Sequence, residues 1–345
     1  MILAASFCDT VSLHAVETER TVPKGNRLLG CAVTEAGNHD YDAAMKLAKS
    51  AGVQVVSLKL NWDEVEKKPG VYESPWPKIA NDYYPARKEQ VSLRLATLDT
   101  DRNRLPSDLR GKPLNDPEVI ERFDRLIDWI FNEMPDVRLA ELSIGNEIDG
   151  VLRDDPVKWG QYTEFFEATS RHARERRADL NVGASITFDG HLKYSQFAAA
   201  INRQADRIMV SYYPLTSAFE VRPPEVVHDD FNVICRMYPK RSISFLEAGY
   251  PSGSRCGSSE AKQEQFVREL FAAWDEHPDF IGIVTFVWLH DLPVPSVETL
   301  GKYYGVGSPA FLDYLSTLGL RTFQNAGADK PAFKSFELQA KLRGW

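Results

Sequence analysis

The chain has 345 residues, 43% of them hydrophobic, with a formal net charge of −8 and a pI near 5.5. That acidity argues against a nucleic-acid partner, whose phosphates demand a basic footprint, and no run of about 18 apolar residues offers a membrane-spanning helix. The length allows two or three domains, yet an α/β barrel takes about 250 residues or more as one.

The opening residues, MILAASFC, are apolar but carry no basic flank. They fit a secretion-signal remnant, and so a secreted or periplasmic protein, as well as they fit the plain terminus of a cytoplasmic one. Residues 1–26 are assigned to an N-terminal extension and 27–345 to a single domain. Cys8, Cys31, Cys235 and Cys256 form no CxxC pair. A zinc knuckle therefore lacks its ligands, and free thiols are the expectation.

From residue 27 onward, short runs of branched apolar residues alternate with helical stretches. The runs are LLGCAV (28–33), VQVVSLKL (53–60), VSLRLAT (91–97), LAELSIG (139–145), NVGASIT (181–187), RIMVSYY (207–213), SISFLEA (242–248) and IGIVTFVW (281–288). The stretch at 41–52 has a helical apolar face and stops at Gly52. Residues 116–135 start on Asp116 as cap, with Pro117 in the first turn, and those at 258–278 start on a serine. Residues 157–176 and 192–203 are also helical, and 225–237 carry a weaker pattern. The Pro-rich, aromatic stretch at 69–90 is expected to be a long loop.

Strands buried on both faces and separated by helices imply a parallel sheet. Eight such units imply an α/β fold, a single (β/α)8 TIM barrel. The rival is a doubly wound sheet, which usually brings a Gly-rich phosphate turn after its first strand. That turn here reads VTEAGNHDYD (33–42), without GxGxxG.

In a barrel the chemistry sits where the strands end. The fourth strand ends in Asn146 and Glu147, and the seventh in Glu247. The sixth ends in Tyr212 and Tyr213, the eighth in Trp288 followed by His290, and the second in Asn61 and Trp62. The first leads toward Glu35 and His39. A lone glutamate at a strand end is ordinarily a cap or a solvated loop residue. Two of them on nearly opposite strands of a narrow barrel can approach to about 5 Å, the spacing of a retaining glycosidase. Carboxylates that close divide their roles, one becoming a proton donor and the other staying ionised. Asp149 has no such partner and reads as a solvated loop acid. A metal-dependent hydrolase built on Asp99, Asp101, His39 and His290 is a competing use of the barrel, but none of the seven histidines forms an HxH pair. A GxSxG elbow is missing, which removes serine-hydrolase chemistry.

These residues resemble the retaining glycoside hydrolases of clan A, the 4/7 superfamily. Their motif is Asn-Glu at the end of strand four and Glu at the end of strand seven. SIGNEIDG, MVSYYPL and LEAGYPSG are locally most similar to the endo-β-1,4-galactanase family. The resemblance implies a carbohydrate substrate and no cofactor or metal. It implies that Glu147 is the general acid/base, Glu247 the nucleophile, Asn146 the holder of the sugar 2-OH, and Trp288 a sugar platform. Tyr213 would orient Glu247, with Tyr212 as its rival, because alternation turns only one of them inward. Trp62 and His39 complete the expected substrate-binding set. The sequence departs from the clan at strand two, which carries Lys59 where an arginine often supports the nucleophile; Arg94 on strand three is the candidate replacement. The galactanases' calcium-binding loop has no counterpart. The loops at 61–90 and 98–115 are expected to wall the cleft through Trp76, Tyr83 and Tyr84. A barrel that binds carbohydrate but has lost catalysis is the alternative reading.

Overall fold

The computed structural model describes residues 21–345. The question of a secretion signal, and Cys8 with it, falls outside the described residues. Cys31, Cys235 and Cys256 are free thiols.

Eight parallel strand positions form the barrel: β1 Leu28–Ala32, β2 Val55–Asn61, β3 Gln90–Asp99, β4 Leu139–Asn146, β5, β6 Ile208–Tyr212, β7 Ile243–Ala248 and β8 Ile281–Val287. β5 is in two pieces around Ala184. Val182–Gly183 pairs with β4 and Ser185–Thr187 pairs with β6. β1 pairs with both β2 and β8, so the sheet curls round into a nearly closed ring. This is the expected TIM barrel, and all eight sequence runs supply a strand.

The helices form where their caps say. Asp116 accepts from the Glu118 amide at 2.9 Å and opens Pro117–Glu133. Asp155 opens Pro156–Arg176 in the same way, and Ser259 opens Glu260–Asp275. Pro117–Glu133 turns Val119, Phe123, Leu126, Ile127 and Ile130 inward, all fully or almost fully buried. Each such side chain contributes about 1.5–3 kcal/mol by leaving water. The 225–237 pattern is a helix, Val226–Met237. The 192–203 stretch divides into Phe188–Lys193 and Ser195–Asn202. Among residues expected in the extension, Val22 and Lys24 already bond to the barrel, to Asp275 and to the Arg343 carbonyl.

One expectation fails in an instructive way. The presumed loop at 69–90 contains a helix, Trp76–Arg87, with Pro77 tolerated in its first turn and Pro85 in its last. The connection after β8 is the more elaborate one. It carries helices Val294–Tyr304 and Pro309–Ser316 before the chain reaches its last helix, Pro331–Arg343. Its apolar side chains build a small core of their own over the top of the barrel.

Candidate active site

One cleft of about 710 Å³ opens at the C-terminal ends of the strands, and Asn146, Glu147, Tyr213, Glu247 and Trp288 all line it. The backbone explains how β4 delivers two side chains in succession. Gly145 has φ +84°, and a Cβ there would lie 2.5 Å from both Ile148 and the Tyr162 hydroxyl. Tyr162 in turn donates to the Ile144 carbonyl at 2.6 Å, pinning the strand end. Glu147 then takes a left-handed conformation, φ +46°, which is uncommon for a side-chain-bearing residue and is found where surroundings overdetermine the backbone. Gly150 follows because the Thr100 carbonyl passes 1.9 Å from where its Cβ would be.

The two glutamates stand in opposite electrostatic settings. Glu247 forms an ion pair with Arg94 and accepts from the Tyr213 hydroxyl at 2.6 Å. Among the described residues Glu147 has no cationic partner, and its carboxyl takes a single hydrogen bond, from Thr100 at 2.6 Å. Enclosure first, and the neighbouring Glu247 charge second, push the Glu147 carboxyl up to about 8. Glu147 thus favours its protonated form at neutral pH, while Glu247 sits in an ion pair with Arg94.

Asn146 is fixed from both sides. Its Oδ1 accepts from Arg94 at 3.3 Å and its Nδ2 donates to Asp99 at 2.9 Å. One amide hydrogen of Asn146 remains for a ligand. Asp99 is further held by Lys59, at 3.0 Å to each oxygen, and by the Tyr303 hydroxyl at 2.7 Å. Register explains the exchange seen on strand two. Lys59 of β2 lies beside Arg94 of β3, and Arg94 beside Ser143 of β4. The arginine that reaches Glu247 is therefore on β3, and Lys59 on β2 pairs with Asp99.

The tyrosine pair is resolved by the same alternation. Tyr212 is fully buried in the layer behind the sheet, against Phe231, Phe245 and Phe266, and donates to Asp230 at 2.8 Å. Tyr213 faces the cleft.

Several expectations are corrected. Trp62 does not line the cleft: it is 1% exposed, packs on Phe123 and donates to Glu66 at 2.7 Å. It starts a short helical turn, Trp62–Val65, which carries its indole into the helix layer. His39 lies outside the cleft as well, with its side chain 75% exposed beside Glu35. Asp149 is buried rather than solvated, and receives the Thr187 amide at 2.9 Å and hydroxyl at 2.7 Å, tying β4 to β5. Tyr83 and Tyr84 bond to Asp42 and Tyr41 on the neighbouring helix, so they join helices and do not wall the cleft. Trp76 is exposed and also outside it. Asp99, Asp101, His39 and His290 do not converge. His290 is buried between the Thr34 carbonyl and Arg321. Among the described residues no three His, Cys, Asp or Glu side chains are grouped to hold a metal ion.

Sequence reasoning missed the wall built after β8, including Leu300, Tyr304, Phe311, Tyr314 and Leu315, and Phe219 after β6. The apolar face of 311–318 was readable as a helix signal. Its position over the cleft was not.

No family model matches the chain, and no curated protein matches its sequence. Solved structures do match. An exo-β-1,4-mannosidase, Op5Man5 from Opitutaceae bacterium strain TAV5, superposes with a TM-score of 0.71 at 16% identity, over 92% of this chain. This chain spans only 59% of that protein's length. The GH53 catalytic domain from Ignisphaera aggregans gives 0.68 at 18% identity, over 93% of this chain and 98% of that one. A psychrophilic family 10 endo-β-1,4-xylanase gives 0.65 at 17%, over 91% and 97%. At such identities the likeness establishes the fold alone, and the GH53 domain's TM-score falls between those of the mannosidase and the xylanase. The chain folds as a TIM barrel of the kind that clan A glycoside hydrolases use.

Proposed function

We propose that this protein is a retaining β-glycosidase acting by double displacement on β-linked glycans or glycosides. The observation that carries the reading is the opposed state of two carboxyls in one cleft: Glu247 paired with Arg94 and Tyr213, Glu147 without a cation and raised to about 8. Glu247 attacks the anomeric carbon as Glu147 gives its proton to the departing glycosidic oxygen. A glycosyl ester on Glu247 results. Glu147, now a carboxylate, takes a proton from water as that water attacks the same carbon, and Glu247 leaves as carboxylate. Both enzyme groups return to their starting states, and the chemistry consumes no cofactor.

The remaining side chains fit supporting roles. The free amide hydrogen of Asn146 suits the sugar 2-OH, a bond that strengthens as positive charge grows on the ring. Trp288 offers an indole face at the end of β8, suited to the apolar face of a sugar. Arg94 pairs with Glu247 and Tyr213 donates to it, and together they aim it.

Replacement of Glu247 by Ala tests the reading. Cleavage of activated aryl β-glycosides should fall by on the order of 10⁴-fold or more, and the wild-type protein should accumulate a covalent adduct with a 2-fluoro glycoside, seen as a mass increase. A variant that cleaves at the wild-type rate sinks the proposal. Calorimetric binding of oligosaccharides with no turnover of any glycoside would make the protein a carbohydrate-binding barrel instead. A panel of aryl mannosides, galactosides, xylosides and glucosides, with the matching polysaccharides, decides among the sugars and tests galactan cleavage directly.

A further inference from the structure

The cleft has two unlike banks. The strand ends and the loops after β3 and β4 provide Thr34, Ser57, Lys59, Thr100, Asp101 and Arg153, all able to hydrogen-bond. The other bank comes from the segment after β8, joined by one residue after β6, and apart from the Tyr304 and Tyr314 hydroxyls its side chains are hydrocarbon. Leu300, Val306, Phe311, Leu315, Leu318 and Phe219 line it. The rings lock together, with Phe219 on Phe311 at 4.6 Å between centroids and Phe311 against Tyr304 at 5.9 Å. This bank belongs to the small core over the barrel, so it is a packed surface and not a loose loop.

Its position relative to the two glutamates matters. Tyr303, next to Tyr304 in the same segment, donates to Asp99 at 2.7 Å and accepts from Arg102 at its carbonyl, which sets the segment beside the turn carrying Thr100, the residue that bonds Glu147. In the proposed reaction Glu147 protonates the departing oxygen, so the groups beside it face the leaving group. Polysaccharide chains present hydroxyls on every unit, and branched aliphatic side chains cannot answer them with hydrogen bonds. A cleft of this volume is also of the size that encloses one small molecule, roughly 300–1,000 Å³.

We propose that the leaving group of the natural substrate is an apolar aglycone, alkyl or aryl, seated against the wall of Leu300, Val306 and Phe311, and that this protein acts on small glycosides and not on polymers. The inference rests on the glycosidase reading above and names the substrate class of that same site. The sugar ring lies over the strand ends, where the polar bank and Trp288 face it. The hydrocarbon part leaves water as it meets the wall, which lowers KM and leaves kcat nearly unchanged, because ground state and transition state gain alike.

The test uses the full chain and two series carrying butyl to octyl groups below their micelle concentrations. The first is hydrolysable alkyl β-glycosides of glucose, mannose, galactose and xylose, read as kcat and KM. The second is the corresponding 1-thio-β-glycosides, read as affinity by calorimetry. For the accepted sugar, kcat/KM is expected to rise about three- to fourfold per added methylene, mostly through KM, and thioglycoside affinity should rise in parallel with a negative heat-capacity change. Leu300→Ser with Val306→Thr, at partly exposed positions, should flatten both dependences, and a chain-length dependence as steep as that of the wild-type protein would place the hydrocarbon elsewhere. Affinity that does not change with chain length overturns the proposal, as does a clear preference for oligosaccharide leaving groups. Chain-length-dependent binding without turnover of any glycoside refutes the catalytic reading while upholding the apolar site.

Discussion

Glu141 and Glu147 share one strand, and they show how position in the barrel decides what a carboxylate is for. Glu141 is fully buried toward the start of β4. Its two oxygens are taken by the Ser92 hydroxyl at 2.9 Å and by Arg207 at 3.2 Å, and nothing is left over. Glu147, past the end of β4, has one hydrogen bond, no cation, and a cleft in front of it. Burial with an arginine partner makes a carboxyl part of the scaffold. Burial without one gives a carboxyl that holds a proton and can release it.

The contrast breaks most visibly in kinetics. Glu147→Gln should lower kcat/KM by about 10²–10⁴-fold on glycosides with poor leaving groups, and less on activated aryl glycosides, which need little protonation. Under the proposed mechanism, which needs Glu147 protonated, wild-type activity should fall as pH rises through about 8, and the same variant should lack that alkaline limb. A wild-type limb set by another group, unmoved in the variant, would undo the assignment.

Glu141→Gln should act on the other side of the comparison. It leaves Arg207 without its anion and should cost about 3 kcal/mol of stability, the low end of the range for breaking a buried pair, because Arg207 keeps some solvent contact. Denaturant titration measures this, and kcat of the folded fraction should stay as it was. A catalytic defect larger than the folded fraction explains would erase the distinction between the two glutamates.

Smaller effects sharpen the picture. Tyr213→Phe removes one hydrogen bond to a charged group, so a loss of about ten- to a hundredfold in kcat/KM is expected, whereas Tyr212→Phe, acting behind the sheet, should lower stability and spare KM. The same group should also make folding depend on pH. Burial and the Glu247 charge raise the folded-state Glu147 carboxyl from its ordinary 4.5 to about 8. Its contribution is therefore fully present below about 4.5 and is lost as pH rises through about 8. Glu147→Gln removes that loss, so the variant should be the more stable protein above pH 8 and gain nothing at pH 4. Equal pH profiles for the two proteins would show that Glu147 ionises freely.

Much of this was legible because barrel strands carry local signals. The eight branched runs each supplied a strand, and Glu147 and Glu247 stood at strand ends in the sequence as they do in the cleft. Arg94 was readable as a charge in an apolar run, but only inter-strand register joins it to Glu247. Trp62 misled because an aromatic residue at a strand end can turn up or back. Here a single helical turn carries it back to Phe123 and Glu66. Asp149 misled because its partner, Thr187, lies on the next strand.

The sequence by itself determined the barrel, the cleft's end and the two glutamates, since periodicity and strand termini are properties of neighbouring residues. Tertiary structure alone decided which tyrosine reaches Glu247, which arginine charges it, and that the segment after β8 folds its hydrocarbon over the site. Those are contacts between residues distant along the chain, and the packing of separate elements sets them rather than any local pattern.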